Sequence, residues 1–204
     1  TSIQKPVTGN QHPASMFFLQ ISTALLFLKR LQKINYKIMN EKRTILTGEV
    51  ALEKMHRMAL EIAEQLSGDE TELVIIGIRN SGIFIAEKIT QYLQQYCTTS
   101  VKLIQLSMDK KKPTEVVLSE DIDLNNKNIL LVDDVSNSGR TLLYALKPLL
   151  DQYPKRIQTL VLVERMHKLF PIKPDYVGFS VATDASDYIQ VEEENGGIKA
   201  MIVQ

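Results

Sequence analysis

The chain has 204 residues, enough for one domain with a full hydrophobic core and too few for two comfortable ones. Lys plus Arg and Asp plus Glu both number 24, so no global basic field exists to draw nucleic acid without sequence preference, and any RNA role needs a local patch. One cysteine, Cys97, excludes an intrachain disulfide, and three scattered histidines, His12, His56 and His167, make a structural zinc site unfounded; a reducing, cytoplasmic setting is expected.

The elements follow in chain order. Residues 16 to 28 (MFFLQISTALLFL) form an apolar run closed by Lys29 and Arg30, shorter than the roughly 20 residues that span a bilayer. Basic residues follow the run rather than precede it, which argues against a secretion signal. The sequence begins with Thr, and Met39 is followed at once by a segment that reads as the start of a compact domain. Residues 1 to 38 are therefore expected to be an extension outside the fold, a mis-set start or else a short docking helix, and residues 39 to 204 the domain. From Gly48, the apolar positions Val50, Leu52, Met55, Met58, Leu60, Ile62, Ala63 and Leu66 recur at helical spacing until Ser67 and Gly68 end the run. LVIIGI (73 to 78) is a short apolar run rich in β-branched residues, predicting a strand buried on both faces. A polar loop of Arg79, Asn80, Ser81 and Gly82 leads into a predicted helix from Ile83 to Tyr96. VKLIQL (101 to 106), NILLV (128 to 132) and TLVLVE (159 to 164) predict three more strands, and TEVVLSEDIDL a short hairpin or edge strand. A helix is predicted over 141 to 153. Strands alternating with helices imply an α/β fold with a parallel sheet and helices on both faces. The C-terminal stretch, with PIKPDYVGFSVAT and then two strands joined by Asn195, Gly196 and Gly197, predicts a small antiparallel appendage beside the sheet.

In open α/β sheets, ligands sit at the carboxyl ends of the strands. NILLV is followed there by Asp133 and Asp134, then Val135, Ser136, Asn137, Ser138, Gly139, Arg140 and Thr141 opening a helix. Backbone N–H groups beside a glycine form an anion cradle, to which Ser138 and Thr141 add hydroxyls. Two adjacent carboxylates before such a cradle would repel a bare phosphate. They suit vicinal sugar hydroxyls whose phosphate lies in the loop, so the string describes a seat for ribose 5-phosphate.

This segment resembles the phosphoribosyl-diphosphate signature of type I phosphoribosyltransferases. Within them it most resembles the pyrimidine-operon attenuation protein/uracil phosphoribosyltransferase group, to whose first strand and diphosphate loop LVIIGIRNSGIFIAEKI is also similar. QTLVLVERMHKLFPIKPDYVGF is similar to the fourth strand and base-binding hood, and the likeness covers residues 43 to 203. The resemblance implies a Rossmann-like sheet with a small C-terminal hood, with Asp133 and Asp134 on the ribose hydroxyls and residues 136 to 141 around the 5-phosphate. It further implies Arg79, Asn80, Ser81 and Gly82 at the diphosphate, with Arg165, Tyr176, Val177 and Gly178 at the base and hood. Mg²⁺ would arrive with the diphosphate, not in a protein cage, and the assembly would be a dimer or higher. The reaction implied is phosphoribosyl transfer to uracil, giving UMP. The alternatives are a catalytically weak, nucleotide-sensing or RNA-binding pyrimidine regulator and a hypoxanthine or guanine phosphoribosyltransferase.

The sequence departs from the family pattern in three places. Asn137 stands where many purine-using relatives carry an aspartate, the segment between residues 106 and 128 is shorter than the family's flexible lid, with Lys110, Lys111 and Lys112 read either as its remnant or as a solvated basic turn, and Met166 replaces a glycine. Glu164 stands where hypoxanthine-type relatives place a lysine. The first helix, with Glu61 and Glu64 beside His56 and Arg57, is poorly suited to RNA phosphates, so RNA binding is expected to be weak or absent.

Overall fold

The computed structural model of the protein describes residues 26, 28–31, 42–109, 115–184, 187–194 and 196–203. The chain divides into two units, Thr1–Glu41 and Lys42–Gln204. Within the first, residues 26 and 28–31 are helical, and the rest of the apolar run lies outside the described residues. Among the described residues no helix is long and apolar enough to cross a membrane.

The second unit is built on a six-stranded sheet. Its strands are β2 (Leu73–Ile78), β3 (Val101–Met108), β4 (Val116–Leu118), β5 (Asn128–Ser136), β6 (Arg156–Arg165) and β7 (Tyr176–Val181), in the spatial order β4-β3-β2-β5-β6-β7. All neighbours run parallel except β4, which pairs antiparallel with β3 at one edge. All six residues of β2 are buried, as a central parallel strand covered on both faces requires.

Helix α1 (Gly48–Gln65) and helix α2 (Ser81–Tyr96) cover one face. Ala51, Met55, Met58, Ala59 and Ile62 of α1 share one helical face and are all buried, packing with Ile85, Ala86, Ile89 and Leu93 of α2 over Ile75, Leu130, Val132 and Leu160. Each fully buried Met, Ile or Leu here contributes about 1.5–3 kcal/mol. The apolar positions Val50 and Leu60 are 37% and 43% exposed, correcting the expected face: Ala51 and Ala59, both 0% exposed, take the inward positions. The opposite face carries Val74, Ile76, Ile129, Leu131 and Val161 under Leu124, Leu142, Ala145 and Leu149.

Three elements differ from expectation. Helix α3 (Arg140–Ala145) spans six residues and gives way to a 3-10 turn, Lys147–Leu149, instead of running to residue 153. Pro148 lacks an N–H, and its ring would clash with the carbonyl four residues earlier, so the α-helix cannot continue through it. Strand β5 runs on to Ser136, so both aspartates lie within the ladder, with Asp133 opposite Val161. The segment 176 to 181, expected in the appendage, is the sixth strand of the main sheet, parallel to β6.

The appendage itself is a second, antiparallel sheet in the order β1-β9-β8, made of β1 (Arg43–Leu46), β8 (Tyr188–Glu194) and β9 (Gly197–Val203). β8 and β9 form the expected hairpin around Gly196, whose φ of 78° suits a tight turn. β1, which the sequence pattern did not reveal, pairs Arg43 with Ile202 and Thr44 with Met201.

Candidate functional site

The carboxyl ends of β2, β5 and β6 lie side by side, and the loops that leave them meet. After β2, Arg79 donates its N–H to the Leu106 carbonyl at 2.9 Å, prolonging the pairing with β3, and Arg79 and Asn80 are exposed. Asn80 has φ 71° and ψ −131°, a conformation costly for a residue with a side chain, and its carbonyl accepts the Ile83 N–H to launch α2. The helix consequently begins at Ser81, two residues earlier than expected. Gly82 is held against β5: a Cβ there would stand 3.1 Å from the Val132 carbonyl and 3.3 Å from Asp133 Cα. Absence of a side chain at Gly82 lets the diphosphate-loop candidate and the acidic pair share one wall.

The structure gives the two aspartates different surroundings. Asp133 is 1% exposed, and its Oδ1 accepts the Asp134 N–H at 3.0 Å. Asp134 is half-buried, and its Oδ1 accepts the Val135 N–H at 2.8 Å. From Asp134 onward the chain lines a cavity of about 250 Å³, with Val135, Ser136, Asn137, Ser138, Gly139, Arg140 and Thr141 on one side and residues 188 to 191 of β8 on the other. Asp133 is not part of this lining, and its Oδ1 would stand 3.5 Å from a Cβ on Gly82.

The loop between β5 and α3 is tightly held. Gly139 adopts φ 84°, and a Cβ on it would fall 2.7 Å from Ile172 Cγ2. The Ser138 carbonyl accepts N–H bonds from Leu169 at 3.1 Å and Phe170 at 3.0 Å. Arg140 lies with its guanidinium 5.2 Å from the Phe170 ring centre, a cation–π distance. Because α3 has only six residues, an anion here would be met by loop N–H and hydroxyl groups more than by a helix dipole.

Several residues of the site carry no sequence motif. Lys168 donates to the Ser136 carbonyl at 2.9 Å and the Ser136 hydroxyl at 2.7 Å, and pairs with Glu164 at 3.3 Å. Burial pushes the Lys168 ammonium below the usual lysine range, against the pull of Glu164. The one available sequence signal is the four-residue spacing of Glu164 and Lys168. Glu164 also accepts the Ser180 hydroxyl at 3.2 Å, so both its partners are its own neighbours. The β8 wall likewise has no local signature.

Not every expected residue reaches the cavity. Arg165 donates to the Asp184 carbonyl at 2.6 Å. Tyr176, 3% exposed, sends its hydroxyl to Gln65 at 2.7 Å and Gln158 at 3.3 Å, and burial pushes its phenol up. The Val177 carbonyl accepts from Arg57 at 2.7 Å. Tyr176, Val177 and Gly178 thus belong to β7 of the main sheet, and the wall opposite the loop is supplied by β8. Lys110, Lys111 and Lys112 lie outside the described residues.

Comparison with known proteins accords with this geometry. Residues 43–194 match the phosphoribosyl transferase domain. The bifunctional protein PyrR of Limosilactobacillus fermentum is 35% identical over 166 residues, covering 74% of this chain and 92% of the relative. The chain belongs to the type I phosphoribosyltransferases, in the PyrR group. PyrR of Clostridium novyi is 36% identical over 162 residues, covering 74% of this chain and 90% of the relative. Among solved structures, the hypoxanthine phosphoribosyltransferase of Trypanosoma cruzi aligns with a TM-score of 0.68 at 16% identity, over 81% of this chain and 99% of that one. A hypoxanthine-guanine phosphoribosyltransferase of Bacillus anthracis gives 0.64 at 21% identity, over 81% and 99%. At these identities the likeness to solved structures speaks for the fold, a mostly parallel central sheet flanked by helices. Family membership makes the chain a glycosyltransferase-type protein of the phosphoribosyl class.

Proposed function

We propose that this protein transfers the phosphoribosyl group of 5-phosphoribosyl-1-diphosphate to uracil, giving UMP and diphosphate. The carrying observation is the cavity in which Asp134 and the loop of residues 136 to 141 stand together at the end of β5. In this reading the loop takes the 5-phosphate, Asp134 accepts from the ribose hydroxyls, and Asp133 stiffens the wall toward Gly82. Arg79 and the turn after β2 meet the diphosphate, which carries Mg²⁺ as part of the substrate. The bond from ribose C1 to the diphosphate oxygen breaks, the bond from C1 to a uracil ring nitrogen forms, and that nitrogen's proton is released to solvent as diphosphate departs. Catalysis is then positioning and stabilisation of a cationic ribose by nearby carboxylates.

Two observations support a pyrimidine over a purine. The Asn137 amide is committed to the β8 backbone, at 3.3 Å and 3.1 Å from the carbonyl and N–H of Ile189. Glu164 is engaged by Lys168 and Ser180. Against an RNA partner at α1 stands Arg57, whose guanidinium is taken by Glu61 and the Val177 carbonyl. A gel shift with a pyrimidine-leader RNA at near-physiological salt is expected to show no tight, sequence-dependent complex.

The deciding assay incubates the protein with phosphoribosyl diphosphate, Mg²⁺ and labelled uracil, hypoxanthine or guanine in parallel. Labelled UMP alone is the expected product. No product from any base, with UMP binding intact, would move the reading to a nucleotide-sensing regulator. Asp134→Asn removes a charged acceptor and is expected to weaken sugar-diphosphate binding by about tenfold or more. Unchanged affinity would displace the ribose from Asp134.

A further inference from the structure

Asn137 lies in the middle of the phosphate loop, yet its side chain is bound to the hood. Its Nδ2 donates to the Ile189 carbonyl at 3.3 Å, and its Oδ1 accepts the Ile189 N–H at 3.1 Å, joining residues 52 apart in the chain. β8 is the outer strand of its sheet, with β9 on one side only. Along an antiparallel edge strand, alternate residues turn both backbone groups away from the neighbour, and those groups need another partner. Ile189 gives both to Asn137 and is itself 3% exposed, so water is a poor substitute. The amide acts here as one further residue of β-strand, offering a donor and an acceptor side by side. A carboxylate of the same shape could satisfy only one of the two bonds.

We propose that Asn137 is a positioning residue that docks β8 onto the phosphate loop and so builds the second wall of the ribose-phosphate cavity. This inference rests on the ribose-phosphate reading of that cavity, whose two sides are the loop and residues 188 to 191. The loop is fastened on its other flank by Leu169, Phe170 and Lys168. Without the Asn137 amide the loop keeps that flank but loses its tie to β8, and the anion-binding shape becomes one of several conformations.

The test uses the full chain with Asn137→Ala and Asn137→Asp, titrated with magnesium phosphoribosyl diphosphate between about pH 5 and pH 8 and expressed relative to wild type. That ratio cancels the ionisation of the groups around the site: Asp134, Arg140, Lys168, Glu164 and Tyr188. Asn137→Ala loses two hydrogen bonds, and a roughly tenfold weaker affinity is expected at every pH. Asn137→Asp should match that loss near pH 8, where the ionised carboxylate faces the Ile189 carbonyl. It should recover toward wild type as pH falls, because burial against the Ile189 carbonyl raises this carboxyl toward the tested range and its protonated form both donates and accepts. Hydrogen exchange at the Ile189 amide should be faster in Asn137→Ala than in wild type. A deficit in Asn137→Asp that stays flat with pH, or wild-type affinity in both variants, would overturn the proposal. If Asn137→Ala fails to fold, the pH series of Asn137→Asp decides alone. If wild type itself does not bind the sugar diphosphate, the reading of the cavity falls, and unchanged protection of Ile189 in Asn137→Ala is then the result that rejects the clamp.

Discussion

Gly139 and Lys168 show how the loop after β5, the proposed phosphate seat, is held by contacts of opposite kinds. Gly139 is held by shape: φ 84° is a left-handed conformation, and a Cβ would meet Ile172 Cγ2 at 2.7 Å. Gly139→Ala adds a left-handed penalty of roughly 1–2 kcal/mol to that collision. A lower melting temperature together with weakened sugar-diphosphate binding is expected, and a variant unchanged in both would refute the packing argument. Lys168 is held by charge in a half-buried place between Ser136 and Glu164. Lys168→Met leaves Glu164 without its ammonium, costing about 1–3 kcal/mol. Adding Glu164→Gln should return part of that loss, measurable as a favourable coupling in a double-mutant cycle of urea melts. Additive effects would show that the pair is not coupled.

At the scale of elements, α1 shows how a correct helix assignment leaves the buried face undecided. Its apolar residues, which include both Ala59 and Leu60, cover more of the circumference than one core-facing stripe, so periodicity alone could not rank Leu60 against Ala59. Met58 is 0% exposed and Leu60 43% exposed. Met58→Ala is expected to cost about 2–5 kcal/mol and Leu60→Ala less than about 1 kcal/mol. Equal denaturation midpoints for the two variants would mean that α1 is rotated from the orientation described. β5 illustrates a different limit. The apolar run ends at Val132, but the strand continues to Ser136 because the flanking strand β6 offers it partners as far as Glu164. Polar residues remain in a ladder when backbone pairing is available on the other side.

Across the whole molecule, the end of the sheet opposite the cavity is gathered by Asp69. Its carboxylate accepts from the Thr71 N–H at 2.9 Å, from Asn128 at the start of β5 at 3.1 Å, and from Lys155 just before β6 at 3.0 Å. The bonds to Thr71, with those from Lys155 and Asn128, hold its carboxyl well below the usual aspartate range. A depressed folded-state value contributes stability that is present above the unfolded value and lost as pH falls toward the folded one. Stability should therefore drop below about pH 4. Asp69→Asn should be less stable than wild type at neutral pH, and its melting temperature should fall less steeply in acid. Parallel acid profiles for the two proteins would remove Asp69 from this role.

Local pattern was sufficient for much of this protein. Continuous β-branched runs marked β2, β5 and β6, because a strand covered on both faces must be apolar throughout. The string from Asp133 to Thr141 pointed to the loop now proposed as the anion seat, and it could do so because its residues are contiguous in the chain. Partners distant in sequence left no such trace. β1 is four residues that become a strand only against β9, and β7 joins the main sheet only because β6 presents a free parallel edge. Asn137 read locally as a replacement for an acid, and only the fold showed its amide completing the edge of a strand 52 residues away. Periodicity reports which side of an element is dry. Which backbone groups face one another across that dry space is decided by the packing of the whole chain.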